Sequence, residues 1–249
     1  MKQILSFVLL IILFSCDKQA AEISSFAGAN PSGQGGSLAR FTIVGNYLYA
    51  VDKQSLKVFD ITNVATPVFK RSVPVGFEIE TIYPFKDKLF IGSTTVVHIF
   101  SIADPANPQK LSVAISPTVL RRCDPVVAKD TVAFATLRAN GPCGGTGSIL
   151  AVYDIKDITQ PVQRAQYTVS EPYGLGYSDN VLYVCDRIRG LMVFDITQPY
   201  APVYLRAVTN VQPVDVIPYN NVLIVWTNVG MNLYDITNKQ NPVLLTQIN

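Results

Sequence analysis

The chain has little charge and almost no histidine, tryptophan or methionine. Only 15% of its 249 residues are charged, and the formal net charge is +2. No Lys/Arg run occurs, so the electrostatic footprint of a nucleic-acid partner is missing. One histidine, His98, stands in the whole sequence. That excludes a metal centre built on several histidines, and no Ser/His/Asp set is visible. The glycine-rich stretch 141–147 does not open a helix and so is no phosphate cradle. No apolar run approaches the roughly 20 residues that cross a bilayer. Beyond the first residues there is no 3.6-residue period, which excludes a helical bundle. What is present is apolar: 49% of the residues, with 12 Tyr and 12 Phe. That is core-forming material, not the composition of a disordered chain.

The N-terminus reads as a targeting segment. Met1-Lys2 is a short positive region, and Ile4 to Phe14 is an apolar run of 11 residues broken only by Ser6. It has the length of a signal-peptide core. It stops at Leu13-Phe14-Ser15-Cys16, which resembles a bacterial lipobox and implies lipidation of Cys16. A two-chain acyl anchor of this kind gives stable membrane attachment where one chain does not. Ordinary cleavage, with Cys16 left as a free thiol, is the alternative. Residues 1–15 are then a signal peptide and 16–37 a tether. That tether is rich in Gly and Ser, carries no hydrophobic period and is read as flexible. An ordered segment lying on the folded domain is the other reading.

One short pattern recurs five times. It is Phe59-Asp60-Ile61-Thr62, Phe100-Ser101-Ile102-Ala103, Tyr153-Asp154-Ile155-Lys156, Phe194-Asp195-Ile196-Thr197 and Tyr234-Asp235-Ile236-Thr237. The Asp/Ser positions are spaced 41, 53, 41 and 40 residues apart, the long spacing reflecting an insertion in the third unit. Such a period signals a repeat architecture. Each unit contains four short β-branched and aromatic runs separated by Asn, Asp, Gly and Pro. In the fourth unit these are 173–177, 181–185, 191–196 and 203–208. In the fifth they are 214–218, 222–226, 232–236 and 243–248. A proline precedes each fourth run: Pro67, Pro108, Pro161, Pro202 and Pro242. Lacking an N–H, proline suits the start of an outer edge strand and blunts it against foreign pairing. Four antiparallel strands in units of about 40 residues predict an all-β, five-bladed β-propeller. Its blades fall roughly at 38–76, 77–118, 119–170, 171–209 and 210–249. An open solenoid would need polar capping units at its ends, and neither end unit is atypical.

Residues 35–249 resemble the LVIVD-repeat proteins, bacterial β-propellers that are often surface lipoproteins. The carriers are Gly-Gly-Ser-Leu-Ala-Arg-Phe (35–41), Ile-Glu-Thr-Ile (79–82), Leu-Phe-Ile-Gly-Ser (89–93), Cys-Asp-Pro-Val-Val (123–127), Thr-Leu-Arg (136–138), Pro-Tyr-Gly-Leu-Gly (172–176), Leu-Tyr-Val-Cys-Asp (182–186) and Gly-Leu-Met-Val-Phe-Asp (190–195). The Gly-His and Trp-Asp marks of WD40 blades are missing. The resemblance implies a fold and an outer-membrane or cell-surface location, but no activity. Asp17, next to the lipidation position, leaves inner-membrane retention open.

Propeller topology puts Cys123, just before an inner strand, on the same face as Cys143, in the inserted loop 138–148. In an oxidising compartment the pair is expected to form a disulfide, stabilising by about 3 kcal/mol in the chain-entropy picture. A metal or redox pair is the rival. Cys185 is expected to be a small core residue, and His98 a structural strand residue.

Charged residues are unexpected at the start of inner strands. Arg40, Glu80, Asp124 and Tyr173 fall at matching places, with Asp215 one step off. This channel mouth is either an ion-pair and water plug or a polar site for a small ligand. The residue types would suit an oxygen-ligated cation such as Ca²⁺ there, and no other cofactor is expected. Three functions follow. One is a non-catalytic module binding a protein, glycan or small ligand, with the inserted loop as the elaborated feature on a rigid scaffold. The second is a structural part of an envelope complex. The third is an enzyme with Glu80 and Asp124 as acid and base and Arg40 as anion stabiliser. Fold alone separates none of them.

Overall fold

The recurring Asp is a turn-former. In the computed structural model, which describes residues 35–116, 125–139 and 147–249, its Oδ1 accepts a hydrogen bond from the backbone N–H two residues on. Asp60 takes this bond from Thr62, Asp154 from Lys156, Asp195 from Thr197 and Asp235 from Thr237, and Ser101 does the same for Ala103 through its hydroxyl. The intervening isoleucine turns inward and donates its own N–H to the carbonyl of the first hairpin turn, at 2.8–2.9 Å in all five units. The pattern thus fixes where the third strand stops and ties that end to the first hairpin.

Five four-stranded antiparallel sheets follow one another, each with its strands in chain order. Blade one is β1 (Phe41–Val44), β2 (Tyr47–Val51), β3 (Ser55–Asp60) and β4 (Val68–Pro74). Blade two is β5 (Ile79–Phe85), β6 (Lys88–Ser93), β7 (Val97–Ser101) and β8 (Gln109–Ala114). Blade three is β9 (Val126–Lys129), β10 (Val132–Leu137), β11 (Ser148–Asp154) and β12 (Val162–Val169). Blade four is β13 (Pro172–Ser178), β14 (Val181–Asp186), β15 (Gly190–Asp195) and β16 (Val203–Val208). Blade five is β17 (Pro213–Tyr219), β18 (Val222–Thr227), β19 (Gly230–Asp235) and β20 (Val243–Ile248). The chain is a five-bladed β-propeller, all-β as its period predicts. The prolines sit just before the outer strands, which are the most exposed of each blade.

Four core clusters fill the spaces between blades. Tyr49, Leu56, Ile82 and Leu89 pack blade one on blade two. Phe90, Ile99, Ala135 and Ala151 join two and three. Phe134, Leu150, Leu175 and Leu182 join three and four. Tyr183, Cys185, Leu223 and Val225 join four and five. Tyrosine hydroxyls lock neighbours at the rim: Tyr49 donates to the Pro105 carbonyl and Tyr183 to the Lys239 carbonyl, at 2.8 and 2.7 Å. Arg71 and Arg206 reach the side chains of Asn107 and Asn241 in the following blades.

Among the described residues no such cluster joins blade five to blade one, and the strands of the two blades make no extended contact. The burial patterns show the same seam. The middle strands β10 and β11 of blade three are buried on both faces, whereas β2 and β18 alternate between buried and partly exposed residues. The last core position of the second strand makes the point. Val51 and Cys185 face the following blade and are 8% and 0% exposed, while Trp226 in blade five is 54% exposed. What crosses the seam is the segment preceding β1, clasped by Asp215.

Candidate functional site

The inner strands carry an irregular register near their starts. In β5, β13 and β17 the pairing shifts between Ile79 and Thr81, between Pro172 and Leu175, and between Pro213 and Asp215. This extra-residue geometry re-aims side chains at the rim of a sheet. It presents Glu80 and Tyr173 at the channel mouth together with Arg40, which precedes β1. Arg40 donates from Nη2 to the Ile79 carbonyl at 3.0 Å. Glu80 lies in the field of Arg138 and Arg40, yet burial outweighs both and raises its carboxyl above the usual range.

Tyr173 is the hub. The Arg138 guanidinium lies over its ring at 4.1 Å from the centroid. Arg187 approaches to 5.3 Å and donates from Nη1 to the Tyr173 hydroxyl at 3.0 Å. A guanidinium over an aromatic face contributes roughly 0.5–2 kcal/mol, more as water is excluded. Glu171 stands 3.8 Å from Arg187. The Thr136 hydroxyl donates to the Tyr173 carbonyl at 2.5 Å, fixing blade four against blade three at this point. The inserted loop springs from the same place. Arg138 is its first residue, and the Ala139 N–H donates to Ser148 Oγ at 3.1 Å across its base.

Three arginines and two glutamates therefore converge on one mouth, held by an aromatic ring and backbone carbonyls. Arg40 and Arg138 both act on Glu80, and Arg138 links Glu80 to Tyr173. Arg138 and Arg187 complete the cluster, and no role at the mouth was assigned to them from sequence. The signal for them was positional, since each directly follows the end of a second strand, β10 or β14. Asp124, Cys123, Cys143 and Cys16 lie outside the described residues, as do the leader and the tether up to residue 34.

Asp215, one step off the matching positions, is engaged by the segment that enters β1. It accepts hydrogen bonds from Ser37 Oγ at 3.3 Å and from the N–H groups of Leu38 and Val216 at 3.2 and 2.9 Å. Ser37 Oγ also accepts from the Leu175 N–H at 2.7 Å, which links blades four and five to the entering chain. Gly36 and Gly174 flank the carboxylate so closely that a Cβ at either would meet it at 2.1 or 2.0 Å. Burial pushes the Asp215 carboxyl up to about 6 despite its donors.

Below the mouth the channel narrows to a cavity of about 120 Å³, lined partly by Ser37, Tyr83, Val127, Leu175 and Tyr177. The hydroxyls of Tyr83 and Tyr177 are hydrogen-bond partners, and burial raises both. His98 sits in β7 with both ring nitrogens buried and unpartnered. Desolvation, with a small contribution from Lys110, lowers it to about 4, so it is a neutral strand residue. Cys185 is a buried free thiol in the core, raised by burial. Among the described residues no three His, Cys, Asp or Glu side chains gather in a way that could hold a metal ion. A mouth crowded with guanidinium groups also disfavours a cation.

Two segments of the chain, 35–75 and 175–209, match the LVIVD repeat. No curated protein matches the chain by sequence. Among solved structures, a protein from Lactobacillus plantarum superposes with a TM-score of 0.68 at 16% identity, over 83% of this chain and 73% of that one. The periplasmic gluconolactonase PpgL of Pseudomonas aeruginosa gives 0.63 at 13% identity, over 82% and 67%. The computationally designed protein Ika8 gives 0.59 at 15% identity over 84% of this chain, which spans only 60% of that design. Likeness at this identity is likeness of fold.

Proposed function

We propose that this LVIVD-repeat β-propeller is a non-catalytic binding module of the bacterial cell envelope, held at the membrane by lipid on Cys16, and that its channel mouth takes a polar ligand bearing an anionic group. The observation that carries the reading is the placement of Arg138 and Arg187 on Tyr173. Both guanidinium groups are held in place before any ligand arrives, which lowers the ordering cost of binding. Their fork geometry suits a carboxylate or phosphate. The inserted loop starts at Arg138, and loops on a rigid scaffold commonly carry recognition. An acidic glycan or a protein partner presenting a carboxylate fits this chemistry.

Calorimetric titration of the purified chain with a panel of acidic and neutral oligosaccharides tests the reading. Binding confined to acidic members, and lost in Arg138→Gln with the fold intact, supports it. Equal binding of neutral and acidic members in both proteins contradicts it. A hydrolytic reading retains one observation in its favour, the raised carboxyl of Glu80, which would suit a proton donor. It needs Asp124 as the second carboxylate. Turnover of a bound ligand that disappears in Glu80→Gln would replace the binding module by an enzyme.

A further inference from the structure

The seam between blades five and one leaves an apolar groove. Its volume is about 340 Å³, and Leu38, Ile217, Ile224, Trp226 and Met231 line it beside Asp215. Asp215 is the sole ionisable lining residue, and its carboxylate is already committed to Ser37, Leu38 and Val216. The face is built like the faces that in blades one to four receive the next blade, but no blade lies on it. A groove of this kind wants an uncharged, partly apolar occupant.

The chain itself supplies one. The segment preceding β1 enters at this seam, where Leu38 is part of the groove wall. Upstream of it the sequence carries no charge from Ile23 to Ala39. Ahead of Leu38, Ile23 and Phe26 are the two large apolar side chains of that stretch, set among Ser24, Ser25 and Ala27, which are small enough to let a backbone approach closely. The eight residue steps from Ala27 to Gly35 reach up to roughly 26 Å when extended, and a six-residue stretch covers about 20 Å, the length of an ordinary strand.

We propose that residues 23–27 dock in the groove between blades five and one, with Ile23 and Phe26 covering Trp226 and Met231. The N-terminal segment then closes the ring rather than acting only as a tether. A second copy of the chain is the rival occupant. The tethered segment has the advantage, because a short linker holds it at an effective concentration of about millimolar without the entropy cost of association.

Trp226 is the one tryptophan of the chain, so its fluorescence reports on the groove alone. The full chain, purified in a neutral detergent, is compared with the double variant Ile23→Asp/Phe26→Asp. Both substitutions lie outside the blades, and far-ultraviolet dichroism verifies that the sheets are unchanged. The expected result is short-wavelength emission resistant to acrylamide in the parent chain. The variant is expected to show a red shift and a rise in quenching, with both proteins monomeric by sedimentation. Two results overturn the proposal. One is equal quenching of Trp226 in parent and variant. The other is a dimeric parent whose Trp226 is exposed by dilution and not by the double substitution, which assigns the groove to a second copy.

Discussion

Asp215→Asn is expected to make the protein more stable at neutral pH and to leave it unchanged in acid. Burial raises the Asp215 carboxyl to about 6 in the folded chain, against 3.8 for the unperturbed group. Between those two values the folded state holds a proton that the unfolded state has released. Stability from this group is therefore full below about 4, falls as pH rises to about 6 and is constant beyond. A displacement of about two units corresponds to about 3 kcal/mol. Asparagine keeps an acceptor oxygen for Ser37 Oγ and the Leu38 N–H but never ionises. Its advantage should be near zero at pH 4 and about 3 kcal/mol at pH 7, or roughly 6–12 °C in melting temperature for a chain of this size. Melting curves of parent and variant at pH 4, 5, 6 and 7 measure the difference, and every other titrating group cancels between the two proteins. A difference that stays constant across this range, or that grows toward acid, refutes a buried carboxylate at the clasp.

Other perturbations have equally definite outcomes. The sole histidine gives a single imidazole titration curve by NMR; its midpoint is expected near 4, and stability from His98 is lost as pH falls from about 6.5 through that value. A midpoint near 6.5 contradicts the burial of both ring nitrogens. Gly174→Ala pushes a methyl group into the Asp215 carboxylate and should cost about 1–3 kcal/mol in chemical denaturation. A neutral result would mean that the clasp is looser than it is drawn. Asp195→Ala removes the acceptor of the Thr197 N–H and should lower the denaturation midpoint in the same assay, without moving Trp226 emission.

The blades were legible in the sequence because their punctuation is local chemistry. An Asp two residues before its N–H partner, an inward isoleucine and a proline before an edge strand act within a few residues, so they repeat visibly along the chain. The strand bounds shifted by a residue or two for the same reason. Val203–Val208 and Val243–Ile248 match the bounds read from sequence, while β15 starts at Gly190 and β19 at Gly230, ahead of the runs 191–196 and 232–236. Arg40 and Glu80 stood out in the sequence because charge is conspicuous at the start of an apolar strand. Arg138 and Arg187 did not, because an arginine after a strand is ordinary until the ring of Tyr173 is found beneath it. The open seam was hidden as well. Trp226 occupies the same repeat position as Val51 and Cys185, and only the missing neighbour distinguishes it.

Native mass spectrometry of the purified chain, with and without a chelator, addresses the channel mouth most directly. The parent is expected to carry an anionic small molecule or glycan that survives chelation, is lost in Arg138→Gln and is retained in Asp215→Asn. A clean apo mass for the parent after exposure to envelope extracts, or a ligand that Arg138→Gln retains, would contradict the channel mouth as the binding site.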